Sequence, residues 1–359
     1  MPEIRVALVG VGNSASALIQ GTQYYKDSKE NTTVPGLMHV NFGGYHIRDI
    51  KFVAAFEVNK DKIGKDLSEA IFTAPNCAVK FADVPHLGVK VSPAPILDGV
   101  AAHMRGPFNV YDDSGYDKAN VVKVLKEAKA QVLVNYLPVG SREATRFYAQ
   151  AAIDARCAFV NCMPEFIGSD KEWSRKFEVA GLPVAGDDIK SQVGATILHR
   201  TLVRLCLDRG VIADETYQLN LGGDTDFLNM TVEERLITKR ISKTEAVTSL
   251  VPYELPTRIG PSDYVAFLNN KKICYLTLKG RKFGDRPITI NAKLEVEDSP
   301  NSAGVVIDLV RAAKIALDRK ISGALVSMAA YAFKHPPVQV PDPEARQWTE
   351  DWIAGKRER

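Results

Sequence analysis

No apolar run in these 359 residues reaches the roughly 20 that a membrane-spanning helix needs, so a membrane-spanning protein is not expected. The chain enters an apolar pattern within four residues of its start, which leaves no room for a secretory leader, and a cytoplasmic protein is expected. Cysteine is scarce and odd in number: Cys77, Cys157, Cys162, Cys206 and Cys274 make no disulfide framework, and buried free thiols are expected. With no Cys-x-x-Cys or His–Glu–His arrangement, a structural zinc is not expected either. An excess of charge of one sign is also missing. The 46 Lys and Arg stand against 43 Asp and Glu in close mixture, and the only polybasic stretch is the short tail Gly355–Arg359, which argues against a nucleic-acid or membrane-surface protein.

What is present is the balance of a folded globular chain, 45% hydrophobic and 25% charged, long enough for about two domains. Through residue 190, short apolar runs alternate with amphipathic stretches such as Lys118–Ala130 and Glu143–Arg156. The runs are Val6–Val9, Ile50–Phe56, Val132–Asn135, Ala158–Asn161 and Pro183–Gly186. That alternation predicts an α/β fold, a doubly wound parallel sheet with helices on both faces. The long connection Gly21–Arg48 is an inserted loop or a small lid. A helix is predicted from Gly194 through Arg209. After it, β-type runs at Tyr217–Leu221, Ile273–Leu278 and Ile288–Val296 surround a charged helix near Thr231–Leu250. Helical apolar segments return at Gly304–Leu317 and Gly323–Phe333. The expected plan is a nucleotide-binding domain, 1–200, completed by 304–359, with an inserted α+β domain at 201–303.

The run Val6–Val9 leads into Gly10-Val11-Gly12-Asn13-Ser14-Ala15, a Gly-x-Gly-x-x-Ala turn before a helical pattern. Backbone N–H groups at such a helix start hold a pyrophosphate. The second strand ends at Glu57, an acidic side chain placed to accept from ribose hydroxyls and to repel a 2′-phosphate, which points to NAD. Asn135, with Tyr136 and Pro138 behind it, and Asn161 end the next two strands. Carboxyl ends of such strands face the ligand crevice, so Asn135 and Asn161 either bond the nicotinamide half or cap the following helices.

The segment Gly186-Asp187-Asp188-Ile189-Lys190-Ser191 puts two carboxylates and an ammonium directly after a buried strand end. Asp188 and Lys190 are expected either to pair at the sheet edge beside the nicotinamide or a cation, or to serve as helix cap and solvated lysine. Lys239 and Lys243 lie four apart and share a helix face; their repulsion favours a lowered pKa for one of them.

Six motifs in order carry a resemblance over nearly the whole chain. They are Gly10–Ser14, Gly186–Ser191, Leu221-Gly222-Gly223-Asp224-Thr225-Asp226, Ile241-Ser242-Lys243, Glu297–Gly304 and Tyr331–Pro337. The chain thereby resembles the myo-inositol-1-phosphate synthases, in their short bacterial and archaeal form. The resemblance implies a Rossmann-type fold and conversion of D-glucose 6-phosphate to 1L-myo-inositol 1-phosphate. That conversion runs by C5 oxidation, enolisation, aldol closure and re-reduction on one NAD, with no net redox. It further implies a homotetramer, with active-site lysines at Lys239, Lys243, Lys271 and Lys334. The matching polar residues are Asp188, Asn220, Asp226 and Asp298.

On that basis Lys239 with Asp298 is expected to move the C5 hydroxyl proton. Lys334 and Lys271 are expected to stabilise the enolate and C1 oxygens, and Lys243 to bind phosphate. A cation at Asp188 or at the substrate phosphate stays open, divalent or monovalent (Mg²⁺, Zn²⁺, ammonium, K⁺). A net NAD-dependent dehydrogenase of a sugar phosphate or homoserine-like substrate is the alternative, and an NAD-binding regulatory protein the non-enzymatic one. The alternating runs Tyr275–Leu278 and Ile288–Val296 offer a sheet face either to a partner subunit or to the chain's own helices.

Overall fold

Short runs of β-branched and small apolar residues, buried on both sides, form the spine of the molecule. The computed structural model describes residues 2–359. In chain order they form β1 (Ile4–Val9), α1 (Asn13–Tyr24), β2 (Asn41–Phe42), β3 (Tyr45–His46), β4 (Ile50–Glu57), α2 (Leu67–Ala70) and β5 (Val91–Pro93). There follow α3 (Ala119–Glu127), β6 (Val132–Asn135), α4 (Arg142–Ala155), β7 (Ala158–Asn161), α5 (Lys171–Val179) and β8 (Pro183–Ala185). All of β6, β7 and β8 is buried, as a parallel strand covered on both faces must be.

Seven parallel strands make one sheet in the order β13-β8-β7-β6-β1-β4-β5, where β13 is Gly323–Ala324. The order reverses between β1 and β6, so the crevice for a ligand opens at the carboxyl ends of those two strands. Alternate residues of β1 feed the two faces: Ile4, Val6 and Leu8 meet one apolar core, Ala7 and Val9 the other.

The second half begins with α6 (Ala195–Asp208) and continues through β9 (Ile212–Gly222), α7 (Thr225–Asn229), α8 (Ile237–Thr248), β10 (Thr257–Tyr264), β11 (Lys271–Lys282) and β12 (Arg286–Glu297). These strands form a mixed sheet, β10-β9-β11-β12. Val203 and Cys206 of α6 and Val247 of α8 pack on its inner face with Cys274, Leu276 and Leu278. Its outer face leaves Tyr217, Leu219 and Tyr275 exposed. The sequence pattern missed β10, whose register shifts between Ile259 and Ser262 and which contains Pro261, a residue that interrupts ladder pairing.

The chain returns as α9 (Asp298–Asp318), β13, α10 (Val326–Ala332) and α11 (Asp342–Ile353). No helix among the described residues is long and apolar enough to cross a membrane. Helix α9 starts beside β12 and ends buried against β1, β6, β7 and β8. Both expected domain limits therefore fall inside helices: residue 200 lies in α6, which packs on the second sheet, and residue 304 lies in α9, which serves both. The Gly21–Arg48 connection is a packed insert. Gly36 presses its carbonyl where a Cβ on Gly304 would sit, and Arg311 donates to the carbonyls of His39 (2.9 Å) and Val40 (2.8 Å).

Candidate active site

A cleft runs from the β1–α1 turn to the mouth of the second sheet. Gly10, Gly12, Asn13, Ser14, Glu57, Tyr136 and Pro138 line one end of it, and Lys239, Lys243, Lys272, Lys334, Asp226 and Asp298 the other. At the first end Gly10 has φ +85°, and a Cβ there would meet the Tyr136 carbonyl at 2.7 Å, so only glycine lets β1 turn beside β6. A Cβ on Gly12 would meet no atom within 4 Å and would stand in the open cleft. No side chain caps α1, and its first turn carries no acid. Free N–H groups over open space and a carboxylate at the end of β4 fit a dinucleotide. Glu57 Oε2 accepts from the Val11 N–H (3.0 Å) and Oε1 from Val58 (2.7 Å). Asn13 Oδ1 accepts from the Cys77 and Ala78 N–H groups and fixes the loop that walls this end.

Asn135 and Asn161, expected either at the nicotinamide or as helix caps, are fully buried and do not line the cleft. They bond each other (2.9 Å), Asn135 donates to Thr145, and Asn161 holds the Asp187 carboxylate (2.7 Å). Asp187 also accepts from the N–H groups of Ile167, Gly168 and Ser169. That clamp anchors the loop after β8, which then runs antiparallel to Phe333–His335. Asp187 N–H donates to the His335 carbonyl and Lys334 N–H to the Asp188 carbonyl. Backbone pairing thus brings Lys334 next to Asp188, 146 residues away in the chain.

Asp188 is fully buried beneath the cleft. Its Oδ1 accepts from Lys239 Nζ (3.0 Å) and Lys334 Nζ (2.8 Å), and its Oδ2 from the Ser242 hydroxyl. Burial opposes its charge, but the two ammonium groups outweigh burial and hold the carboxyl well below the usual range. Asp188 therefore orients lysines instead of a cofactor, and those ammoniums fill the place a cation bound to it would take. Among the described residues no group of three or more His, Cys, Asp or Glu is arranged to hold a metal.

Lys190 does not pair with Asp188 and is not solvated. Its side chain, 2% exposed, turns away from the cleft to Asp342 (3.0 Å) and the Ala330 carbonyl (2.9 Å). Regular extension would put residues 188 and 190 on one side, but Asp188 has φ +62°, and that left-handed kink breaks the alternation and lets the two side chains diverge.

Lys239, Ser242 and Lys243 come from one face of α8, at i, i+3 and i+4. Burial disfavours the charge of Lys239, but Asp188, then Asp226 and Asp298, raise it above its ordinary value. Lys243 behaves oppositely. Burial, then Lys272, Lys239 and Lys334, push it well below the ordinary lysine value. Burial lowers Lys334 to about 8 despite Asp188.

Two expected partners change. Lys271 stands on the outer face of β11, exposed and paired with Glu295 at 3.5 Å; Lys272 shares the inner face with Cys274 and Leu276 and enters the cleft. Strand alternation decides between the neighbours. Asp298 then pairs with Lys272, both oxygens at 3.2 Å, and not with Lys239. Asn220 lies on β9 opposite Cys274 and outside the lining, its Oδ1 accepting from Gln218 (2.9 Å) and its buried Nδ2 without a partner.

Three contributors escaped the sequence: Ser242, Lys62 and Asp224. Ser242 was legible as the i+3 neighbour of Lys239. Asp224 caps α7 through the Asp226 and Phe227 N–H groups and lines the cleft; burial, with Asp226 and Asp298 nearby, pushes its carboxyl up to about 7. Arg235 ties the two ends of the cleft together. It donates to the Val139 carbonyl (2.9 Å) after β6 from just before α8, and Asn229 reaches the same carbonyl (2.9 Å).

A family model described as myo-inositol-1-phosphate synthase matches residues 194–299. The inositol-3-phosphate synthase of Mycolicibacterium smegmatis is 57% identical over 98% of each chain. That of Corynebacterium glutamicum is 53% identical, again over 98% of each. The crystal structure of a myo-inositol-1-phosphate synthase-related protein from Thermotoga maritima superposes with a TM-score of 0.83 at 25% identity, covering 98% of both chains.

Proposed function

The chain belongs to the myo-inositol-1-phosphate synthase family, and we propose that its cleft converts D-glucose 6-phosphate to 1L-myo-inositol 1-phosphate with NAD as a reusable oxidant. One observation carries this: the dinucleotide turn and four lysines, Lys243 buried and Lys239, Lys272 and Lys334 half-buried, line the same cleft. Gly10, Gly12, Asn13, Ser14 and Glu57 would hold NAD, which supplies hydride acceptance and return at the substrate carbon. The lysines supply what remains, charge for oxygens that turn negative and a base for a hydroxyl proton.

The set divides by partner. Lys239 pairs with Asp188, which favours its charged form, and Lys272 pairs with Asp298; both are placed to meet the phosphate and the enolate and alkoxide oxygens. Lys243 pairs with no carboxylate among the described residues, and its nearest charges are mostly cations. Its neutral amine is the group able to take the C5 hydroxyl proton, a duty expected of Lys239 from sequence. Lys334, lowered to about 8, can donate to or accept from the C1 oxygen near neutral pH. Any cation the reaction uses, divalent or monovalent, has its place at the substrate phosphate.

The same reading divides the chain into a nucleotide-binding part and an α+β part, in a cytoplasmic homotetramer whose subunits meet over the exposed outer sheet face. Tyr217, Leu219 and Tyr275 are the apolar side chains there that support assembly.

The test is incubation with glucose 6-phosphate and catalytic NAD, followed at 340 nm, with NMR of the phosphatase-treated product. Free myo-inositol without lasting NADH is the expected outcome; steady NADH growth without inositol would establish a net dehydrogenase instead.

A further inference from the structure

The Val11 peptide, between the two glycines of the turn, is gripped at both ends. Glu57 accepts its N–H at 3.0 Å, and Lys62 Nζ donates to its carbonyl at 2.8 Å. Lys62 is 1% exposed yet lines the cleft; its Nζ also donates to Asn76 Oδ1 (2.8 Å) and stands 4.0 Å from Glu57 Oε2. The other charge acting on it is Lys65, an exposed side chain bonded to Thr73.

Holding a carbonyl requires only an N–H donor, and a neutral amide would do it without burying a charge. A buried ammonium at this point has a further effect: it cancels the Glu57 carboxylate beside the site for the cofactor's adenosine ribose. With both present the pair is neutral, and ribose hydroxyls meet an acceptor while a 2′-phosphate meets a carboxylate. Without Glu57 the same ammonium stands uncompensated at the mouth of the turn.

We propose that Lys62 is a specificity-determining residue for the dinucleotide, a built-in partner for a 2′-phosphate that Glu57 keeps cancelled. The proposal rests on the reading of this turn as a dinucleotide site. It makes the choice between the two cofactors depend on one carboxylate over a resident cation, and not on repulsion alone.

Equilibrium binding of NAD⁺ and NADP⁺ to the full chain tests it, followed by calorimetry with wild type, Glu57→Ser and the Glu57→Ser/Lys62→Gln double variant. Glutamine keeps a donor for the Val11 carbonyl and removes the charge. The wild type is expected to prefer NAD⁺ by about 100-fold. Glu57→Ser should tighten NADP⁺ at least about tenfold, and the double variant should lose that gain while binding NAD⁺ within about threefold of the single variant. An equal gain in both variants would mean that repulsion alone had been relieved, and no gain in Glu57→Ser would mean that the ammonium does not reach; either result overturns the proposal. Absence of NAD⁺ binding to the wild type would overturn the dinucleotide reading itself. If near-UV circular dichroism shows the double variant unfolded, the salt dependence of NADP⁺ binding to Glu57→Ser decides. A slope steeper than that for NAD⁺ supports Lys62, and equal slopes refute it.

Discussion

Two buried clusters of the same make-up flank the loop after β8, each a carboxylate shared by two cations. Asp342 accepts from Lys190 (3.0 Å) and Arg200 (2.8 Å); Asp188 accepts from Lys239 and Lys334. The first is closed. Lys190 finishes on the Ala330 carbonyl and Arg200 on the carbonyls of Ala246 and Val340, so every charge has a fixed partner from the protein itself. The second opens on the cleft with Lys243 and Lys272 beside it; Asp298 pairs with Lys272, Asp224 and Asp226 line the same cleft, and Lys243 pairs with no carboxylate among the described residues. A satisfied cluster holds elements together, whereas a cluster with cations to spare is built for an anion that arrives later.

The largest effect should come from removing the carboxylate of the open cluster. Asp188→Asn is expected to lower kcat by about 10³-fold by releasing two ammonium groups from their positions, while NAD⁺ affinity measured by calorimetry stays within about threefold. Lys243→Met should lower kcat by about 10² to 10⁴, the range for loss of a general base, with KM for glucose 6-phosphate moving far less; the reverse split would return Lys243 to phosphate binding. In the closed cluster the cost should fall on stability. Asp342→Asn strands two buried cations, and urea unfolding should show a loss of about 3 kcal/mol with kcat of the folded enzyme unchanged.

Lys272→Ala is expected to cost about 10² in kcat, and Lys271→Ala less than about twofold, which separates two neighbours that strand alternation sends to opposite faces. The smallest effect is one of pH. Burial lowers both Lys190 and Lys334 to about 8, against an ordinary 10.5. Between those values the unfolded chain keeps protons that the native protein has shed, so native stability rises as pH goes from 8 to 10.5 and falls again on the way down. Lys190→Met should flatten that rise by about 1 kcal/mol in denaturant melts at the two ends of the window.

Five of the seven strands of the first sheet, β1, β4, β6, β7 and β8, were legible because each carries its own signal. Val132–Asn135 and Ala158–Asn161 are buried on both faces, so their apolar character does not depend on which neighbour they meet. Strand β13, two residues long, and β10, interrupted by Pro261, carry too little pattern to be read. At the site, Gly10, Gly12 and Glu57 follow from local turn chemistry, and the Lys239–Lys243 face follows from helix period. Asn135 and Asn161 were misplaced because a strand-end asparagine looks alike from sequence whether it faces a ligand or another asparagine.

From the sequence alone came the dinucleotide turn, the alternation that makes a parallel sheet, and the family, each resting on residues close together in the chain. The tertiary structure alone decided which lysine meets which carboxylate: Lys239 with Asp188, Lys272 with Asp298, Lys190 with Asp342. Those pairings join segments tens to more than a hundred residues apart through strand register, helix face and a backbone ladder between residues 187 and 335. A charge's partner, and hence its protonation, is a property of that three-dimensional neighbourhood.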